Sequence, residues 1–331
     1  MSPLLSSGPD SPQQDQVMDA LIIGGGYAGL SAALSLARTT HKVALFDEHQ
    51  YRNAKVDWMH TIPTWDSRDP KDYRAAVRDE ILSRYDTVQF VDSRIERLEK
   101  IPDGEQKGLF AATAADGNQW VGHKVILASG LQDELLDILG YADCYTRGIF
   151  HCMVHRGIEE RGCSSAGILA VAGDASAFAA THIGAQARNY TDKVTIYTHG
   201  NDELAAECRQ KLLSSGFSVD SRKIERFEKS PKRAQVIIHF EGGATVTEGF
   251  LVHRPLTKLR GDFAEQLGLE KEGQALLKTK PPFYETSVPG VFAAGDVATP
   301  FKISTLCLAT GAIAAAGIQA QINAMRHIIS T

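Results

Sequence analysis

The chain has 331 residues, 43% of them hydrophobic, enough to bury the cores of about two domains. Its 35 basic and 40 acidic residues nearly cancel, and no basic run exceeds a pair, which argues against a nucleic-acid partner. Its longest apolar runs are broken by Gly, Thr or Gln, so no membrane span is expected, and five irregularly spaced cysteines argue against a secreted disulfide framework. An enzyme of a reducing, cytoplasmic compartment is the expectation.

Residues 1–16 are rich in Ser and Pro, carry no positively charged leader, and read as a disordered tail. Strand-like Ala20-Leu21-Ile22-Ile23 runs into Gly24-Gly25-Gly26-Tyr27-Ala28-Gly29 and a small-residue helix, and a second strand from Lys42 to Phe46 ends at Asp47. That is a β-α-β unit. A polar stretch over 51–69 precedes an amphipathic helix over 69–85, and meander-like strands lead to Lys124-Val125-Ile126-Leu127-Ala128-Ser129-Gly130. The pattern then restarts, with a buried strand over 166–173, a helix over 175–190 and a strand over 193–197. The chain closes with Gly290-Val291-Phe292-Ala293-Ala294-Gly295-Asp296 and an alanine-rich helix from Ser304 to His327. The predicted fold is α/β, with two nested dinucleotide-binding, Rossmann-like three-layer domains. Residues 17–131 and 251–331 make one domain, and 132–250 are inserted into it.

Gly24, Gly26 and Gly29 fill G-x-G-x-x-G between strand and helix, where the glycines permit a tight turn, a close pyrophosphate and close helix packing. Asp47, 18 residues beyond Gly29, is placed to hold an adenosine ribose and disfavours a 2′-phosphate. Asp296 and the amides of Ile303 and Ser304 suit a ribityl chain and a flavin edge at a helix N-terminus. Together these point to FAD rather than NAD in the first domain. Further on, Phe150-His151-Cys152-Met153-Val154-His155-Arg156-Gly157 sets one thiol between two imidazoles. Imidazolium lowers a thiol pKa, and a histidine suits general-base work on a second thiol near neutral pH. No metal site is expected, since these residues lack a second ligand cluster.

On the two glycine and Gly-Asp motifs, the chain after Val17 resembles the thioredoxin reductase branch of the two-domain flavoproteins. Tyr51-Arg52-Asn53-Ala54, the segment Met59 to Asp66 and Phe150-His151-Cys152 resemble the fungal dithiol oxidases of gliotoxin-type epidithiodiketopiperazines. The resemblance implies FAD, dioxygen as acceptor, a small dithiol substrate and a homodimer. It places Arg52, Asn53, His60, Ser129 and Gly130 at the cofactor. It also puts Cys152 at the first cysteine of the family's Cys-x-x-Cys, His155 at the second, and His151 beside them as a further catalytic candidate. Cys144 or Cys163 could stand in as the resolving thiol. A reductase would carry G-x-G-x-x-A in its inserted domain, where this chain has Ala172, Asp174 and Ala177. Asp174 is expected to face and repel a pyrophosphate, and Thr198-His199-Gly200-Asn201-Asp202 lacks the arginine pair that would hold a 2′-phosphate. The expected activity is therefore a thiol oxidase acting through Cys152 and His155. An NADPH-dependent disulfide reductase and a non-catalytic dithiol-binding flavoprotein are the rivals.

Overall fold

The computed structural model describes residues 17–102, 108–212 and 216–327; the tail expected over 1–16 lies outside them. The first domain opens with β1 (Met18–Ile23), α1 (Tyr27–Ala37), β2 (Val43–Phe46), α2 (Pro70–Arg84) and β3 (Val88–Val91). A meander follows, β4 (Ile95–Lys100), β5 (Phe110–Ala114) and β6 (Gln119–Leu127), then β7 (Leu131–Glu134) leads out of the domain. The inserted part begins with α3 (Tyr141–Cys144), β8 (Ile149–Phe150), β9 (Ala166–Leu169), α4 (Ala177–Ala187), β10 (Val194–Tyr197), α5 (Asp202–Lys211) and β11 (Phe217–Asp220). It ends with β12 (Ile224–Lys229), β13 (Val236–Phe240), β14 (Thr245–Glu248) and β15 (Phe250–Val252). The chain returns through β16 (Leu256–Leu259), α6 (Phe263–Leu267), β17 (Val291–Ala293) and α7 (Ser304–His327).

Parallel pairing orders the first sheet β3-β2-β1-β6. Antiparallel β5 and β4 extend it from one half of β6, and β17 pairs with the other half. Every residue of β1 is buried, as the continuous apolar run of a central parallel strand requires. Its one charge, Asp19, is met by Arg326 at 2.7 and 2.8 Å and accepts the Lys42 amide at 2.9 Å, so the end of α7 is tied to the start of the sheet. In the insert, β11-β10-β9-β15-β8 form an all-parallel sheet. Helices α4 and α5 pack on one face, and α3 with the β12-β13-β14 meander packs on the other. These are the two three-layer units expected.

The boundary expected after residue 250 falls inside β15, whose residues pair with β9 and β8 of the insert. The strand is held by parallel hydrogen bonds to the insert, so the crossover lies later, at the antiparallel ribbon of β7 and β16. Helix α7 is long and apolar enough to cross a membrane by length and composition, which its interrupted runs did not suggest. Here Thr310, Gly311, Ala314, Ala315, Gly317 and Ile318 turn inward. A Cβ on Gly311 would sit 2.1 Å from the carbonyl oxygen of Ala28 in α1. Gly311→Ala is expected to lose roughly 1–3 kcal/mol through overpacking, read as a lower urea midpoint. An unchanged midpoint would mean that the two helices have room to part.

Candidate active site

Between the two units lies a cleft of about 970 Å³. One wall is the glycine turn. Gly24 has φ +113°, and a Cβ there would lie 2.3 Å from the Ala128 carbonyl oxygen. At Gly25 a Cβ would strike the Asp47 carboxylate at 2.1 Å. Gly29 packs against the Gly24 carbonyl, where a Cβ would lie 1.9 Å away. Gly26 meets nothing within 4 Å and caps α1 with no side-chain hydrogen bond. Three glycines thus let the chain close on itself, and the fourth leaves an open helix start for an anionic ligand. The part played by Gly25 was not anticipated, because the motif leaves that position free. Asp47, at the end of β2, accepts from Tyr51 Oη at 2.5 Å and from the His49 amide at 2.9 Å.

The same cleft holds a second carboxylate. Asp296 Oδ2 lies 3.2 Å from an Arg52 guanidinium nitrogen, and Arg52 also pairs with Asp133 at 2.8 Å. Burial opposes the Arg52 charge, but Asp133 and Asp296 outweigh it and raise its pKa. Lys302 Nζ donates to the carbonyls of Asp296 and Thr299 at 2.5 and 2.6 Å, shaping the turn that brings Ile303 and Ser304 to the cleft. Ser129 and Gly130 line the cleft just past β6. Asn53 donates to Tyr27 Oη at 2.9 Å and accepts from Arg74 at 3.1 Å, so its amide braces the wall. An extended dinucleotide fits this arrangement. The open face at Gly26 suits a pyrophosphate, Asp47 a ribose, and Asp296 with the start of α7 a ribityl–flavin end.

Cys152, His151 and His155 reach the same cleft from the insert. After β8 the chain turns, closed by the Arg156 amide donating to the Cys152 carbonyl at 3.0 Å. Gly157 then has no space for a side chain, with Tyr190 carbons 2.6 and 2.7 Å from its Cβ position. This pins the Cys152–Arg156 turn with the thiol half-buried. The His151 and His155 rings lie 5.6 Å apart between centroids, and His155 is also 5.6 Å from His60, which comes from the first domain. Burial, then the charges of Arg52 and His155, push His151 down to about 4. Burial, then His60 and Arg156, push His155 down to about 4 as well. Both imidazoles are therefore neutral at physiological pH.

These shifts carry a stability cost on the acid side. A folded pKa of about 4, below the ordinary histidine value of about 6.5, means the unfolded chain binds protons first as pH falls. Stability from these two groups is full above about pH 6.5 and declines toward pH 4, by at most roughly 1.4 kcal/mol per pH unit per histidine. The expected observation is a smaller pH 7-to-5 drop in unfolding midpoint for His151→Phe than for the wild type. Equal drops would place the protonation elsewhere.

Three expectations need correction. Cys144 is fully buried, its pKa pushed up to about 11 by burial, and Cys163 packs in the insert core with its thiol 3.3 Å from the Ser165 carbonyl. Neither lines the cleft, so neither can resolve a disulfide there. The second cleft cysteine is Cys307 in the first turn of α7, with Sγ 3.5 Å from Asp296 Oδ1. Burial, then the Asp296 charge, raise its pKa strongly and keep it a thiol. Its helical position next to Gly295-Asp296 was the available signal. Asp174 does not project toward a ligand phosphate: it is 1% exposed, 2.8 Å from an Arg254 guanidinium nitrogen, and accepts the Arg254 amide at 2.7 Å. The chain leaves β9 at Leu169, short of the expected strand end at 173, because Ala172 turns to φ +49°. Near the Gly200 turn, the aliphatic stem of Lys223 comes within 3.8 Å of the Gly200 Cβ position. Lys223 is paired with Glu241 at 2.7 Å, and neighbouring Arg222 with Asp220 at 2.6 Å. Among the described residues, no group of three or more His, Cys, Asp or Glu is placed to hold a metal.

The pyridine nucleotide-disulphide oxidoreductase family matches residues 18–325. The chain is 40% identical to thioredoxin reductase aclD of Aspergillus oryzae over 309 residues, covering 92% of this chain and 96% of that protein. It is 40% identical to thioredoxin reductase sirT of Leptosphaeria maculans over 314 residues, covering 92% and 94%. Among solved structures, an oxidoreductase from Agrobacterium tumefaciens superposes with a TM-score of 0.81 at 27% identity, over 93% of this chain and 99% of that one. The family's members bind FAD, in keeping with the open glycine turn and paired carboxylates of the cleft. The chain belongs to the pyridine nucleotide-disulphide oxidoreductases, in their thioredoxin reductase-like branch, and its cofactor is FAD.

Proposed function

We propose that the protein is a thiol oxidase that forms or rearranges a disulfide in a small dithiol of the epidithiodiketopiperazine kind, with dioxygen as terminal acceptor. The observation that carries this reading is one half-buried thiol, Cys152, beside a neutral His155 in the cleft that Gly26 and Asp296 line. FAD supplies, when bound, the two-electron acceptor from which dioxygen takes the pair as hydrogen peroxide. Cys152 joins the first substrate thiol in a two-electron oxidation that releases two protons. The second substrate thiol, its proton taken by His155, then displaces Cys152 as a thiolate and closes the substrate disulfide. In the alternative route Cys152 is auxiliary and His155 activates a substrate thiol for direct oxidation. A homodimer is part of the proposal and is read by light scattering on the purified protein.

An NADPH-dependent disulfide reductase is the second reading, favoured by the naming of the fungal relatives as thioredoxin reductases and by Arg222 and Lys223 near the Gly200 turn. Against it, Arg254 holds Asp174 into the degraded turn, and Ser176 Oγ already accepts one start amide of α4. Anaerobic mixing separates the two. A dithiol is expected to bleach the yellow flavin at a catalytic rate, with NADPH leaving it yellow. Catalytic bleaching by NADPH would overturn the oxidase, and bleaching by neither would favour a dithiol-binding protein.

A further inference from the structure

Closing a disulfide from two thiols breaks two S–H bonds, forms one S–S bond and releases two protons with the electron pair. The pair goes to dioxygen as hydrogen peroxide, which takes two protons up again, so none is released overall. Between the two half-reactions the protons must still be carried off the sulfurs and returned, and the nearest base, His155, holds only one. Beside the cleft lies a small cavity of about 10 Å³, bordered by Trp58, His60, Thr146, Phe150, His151 and His155. That is room for about one water among three imidazoles.

His60 borders both this cavity and the main cleft. Its side chain is 10% exposed, and its Nε2 is buried without a hydrogen-bond partner. The Nδ1 atom lies 3.4 Å from Asp66 Oδ1, and Nε2 lies 3.7 Å from Glu159 Oε1. Asp66 is 59% exposed and Glu159 28% exposed, so both carboxylates reach solvent. The loop carrying His60 is braced by the Thr61 amide donating to Asp66 at 2.8 Å and by the Met59–Arg68 bridge. The charged or titratable groups around His60 are Asp66 from its own loop, Glu159 from the 158–160 turn, and Asp57, Arg156, His151 and His155 along the cavity.

We propose that His60 and one water in this cavity relay protons between His155 and the solvent-reaching carboxylates Glu159 and Asp66, outward as the thiols are oxidised and inward as hydrogen peroxide forms. The inference rests on the oxidase reading above. His60 acts through His155, so it is a positioning and relay residue rather than one that touches substrate. The depressed pKa of His155 agrees, since an imidazolium formed there gives its proton up readily at neutral pH. The relay also spans two domains, His60 from the first and His155 from the insert, so it is complete only while they are held in this arrangement.

The test pairs His60→Gln with a high-resolution crystal structure of the wild-type holoenzyme. The structure is expected to place an ordered water within hydrogen-bond distance of His60 Nε2 and a ring nitrogen of His155. A dry cavity overturns the relay and leaves the oxidase reading standing. His60→Gln is expected to keep its flavin spectrum and thermal midpoint, and the KM for a test dithiol such as dithiothreitol. Its kcat is expected to fall about 10- to 100-fold, with a larger solvent deuterium isotope effect and partial rescue by added imidazole. Unchanged kcat, or a loss that imidazole and pH do not move, overturns the relay. Failure of the wild type to take up oxygen with any dithiol overturns the oxidase reading and the relay with it.

Discussion

Cys152→Ser is expected to cut dithiol-dependent oxygen uptake by about 10³-fold or more, with the flavin still bound. Serine is close in size, and the turn around position 152 is held by the Arg156 amide and by the packing of Gly157 on Tyr190, not by the thiol. The fold should therefore survive, and an unchanged flavin spectrum checks that it has. Cys144, Cys163 and Cys208 lie in the insert core, and the Cys307 thiol is held protonated beside Asp296, so no other cysteine can form the mixed disulfide. Full retention of turnover would exclude a mixed disulfide and leave direct oxidation of a substrate thiol, with Cys152 auxiliary.

His155→Gln has the second large expected effect, a fall in kcat of about 10²- to 10⁴-fold, the range for losing a general base. Glutamine keeps a polar group of similar reach but cannot take a proton. In the wild type, His155 is neutral down to about pH 4, so kcat/KM is expected to show no acid limb near pH 6.5. The limb should instead fall near pH 4, where folding itself weakens as His151 and His155 protonate. A limb centred near 6.5 that disappears in His155→Gln would mean that His155 titrates in the ordinary range during catalysis. A limb near 6.5 that persists in the variant would assign the base to another group.

Much of the first domain was legible because its signals are local. An apolar strand core, a glycine turn, a small-residue helix and an acid at the next strand end sit within 30 residues of one another, and β1 with α1, β2 and Asp47 form as those residues suggest. Cys152 and His155 were legible for the same reason, as neighbours on one turn. The misreadings share the opposite property. Asp174 reads as a charge facing a ligand until Arg254, 80 residues on, takes it. The boundary at 250 fails because a three-residue strand carries too little pattern to show which sheet it joins. Only the return of α7 to the cleft brings the Cys307 thiol to Asp296.

The sequence by itself determined the two nested nucleotide-type units, FAD as the cofactor and the single thiol of the Cys152–His155 segment, since each depends on residue type at short spacing. Only the tertiary structure decided that His60 meets His155, that Arg52 joins Asp133 to Asp296, and that Arg254 fills the degraded nucleotide turn. Those contacts join segments far apart in the chain. Which of many possible partners a buried charge or imidazole meets is settled by how the sheets and helices pack, not by the residues beside it.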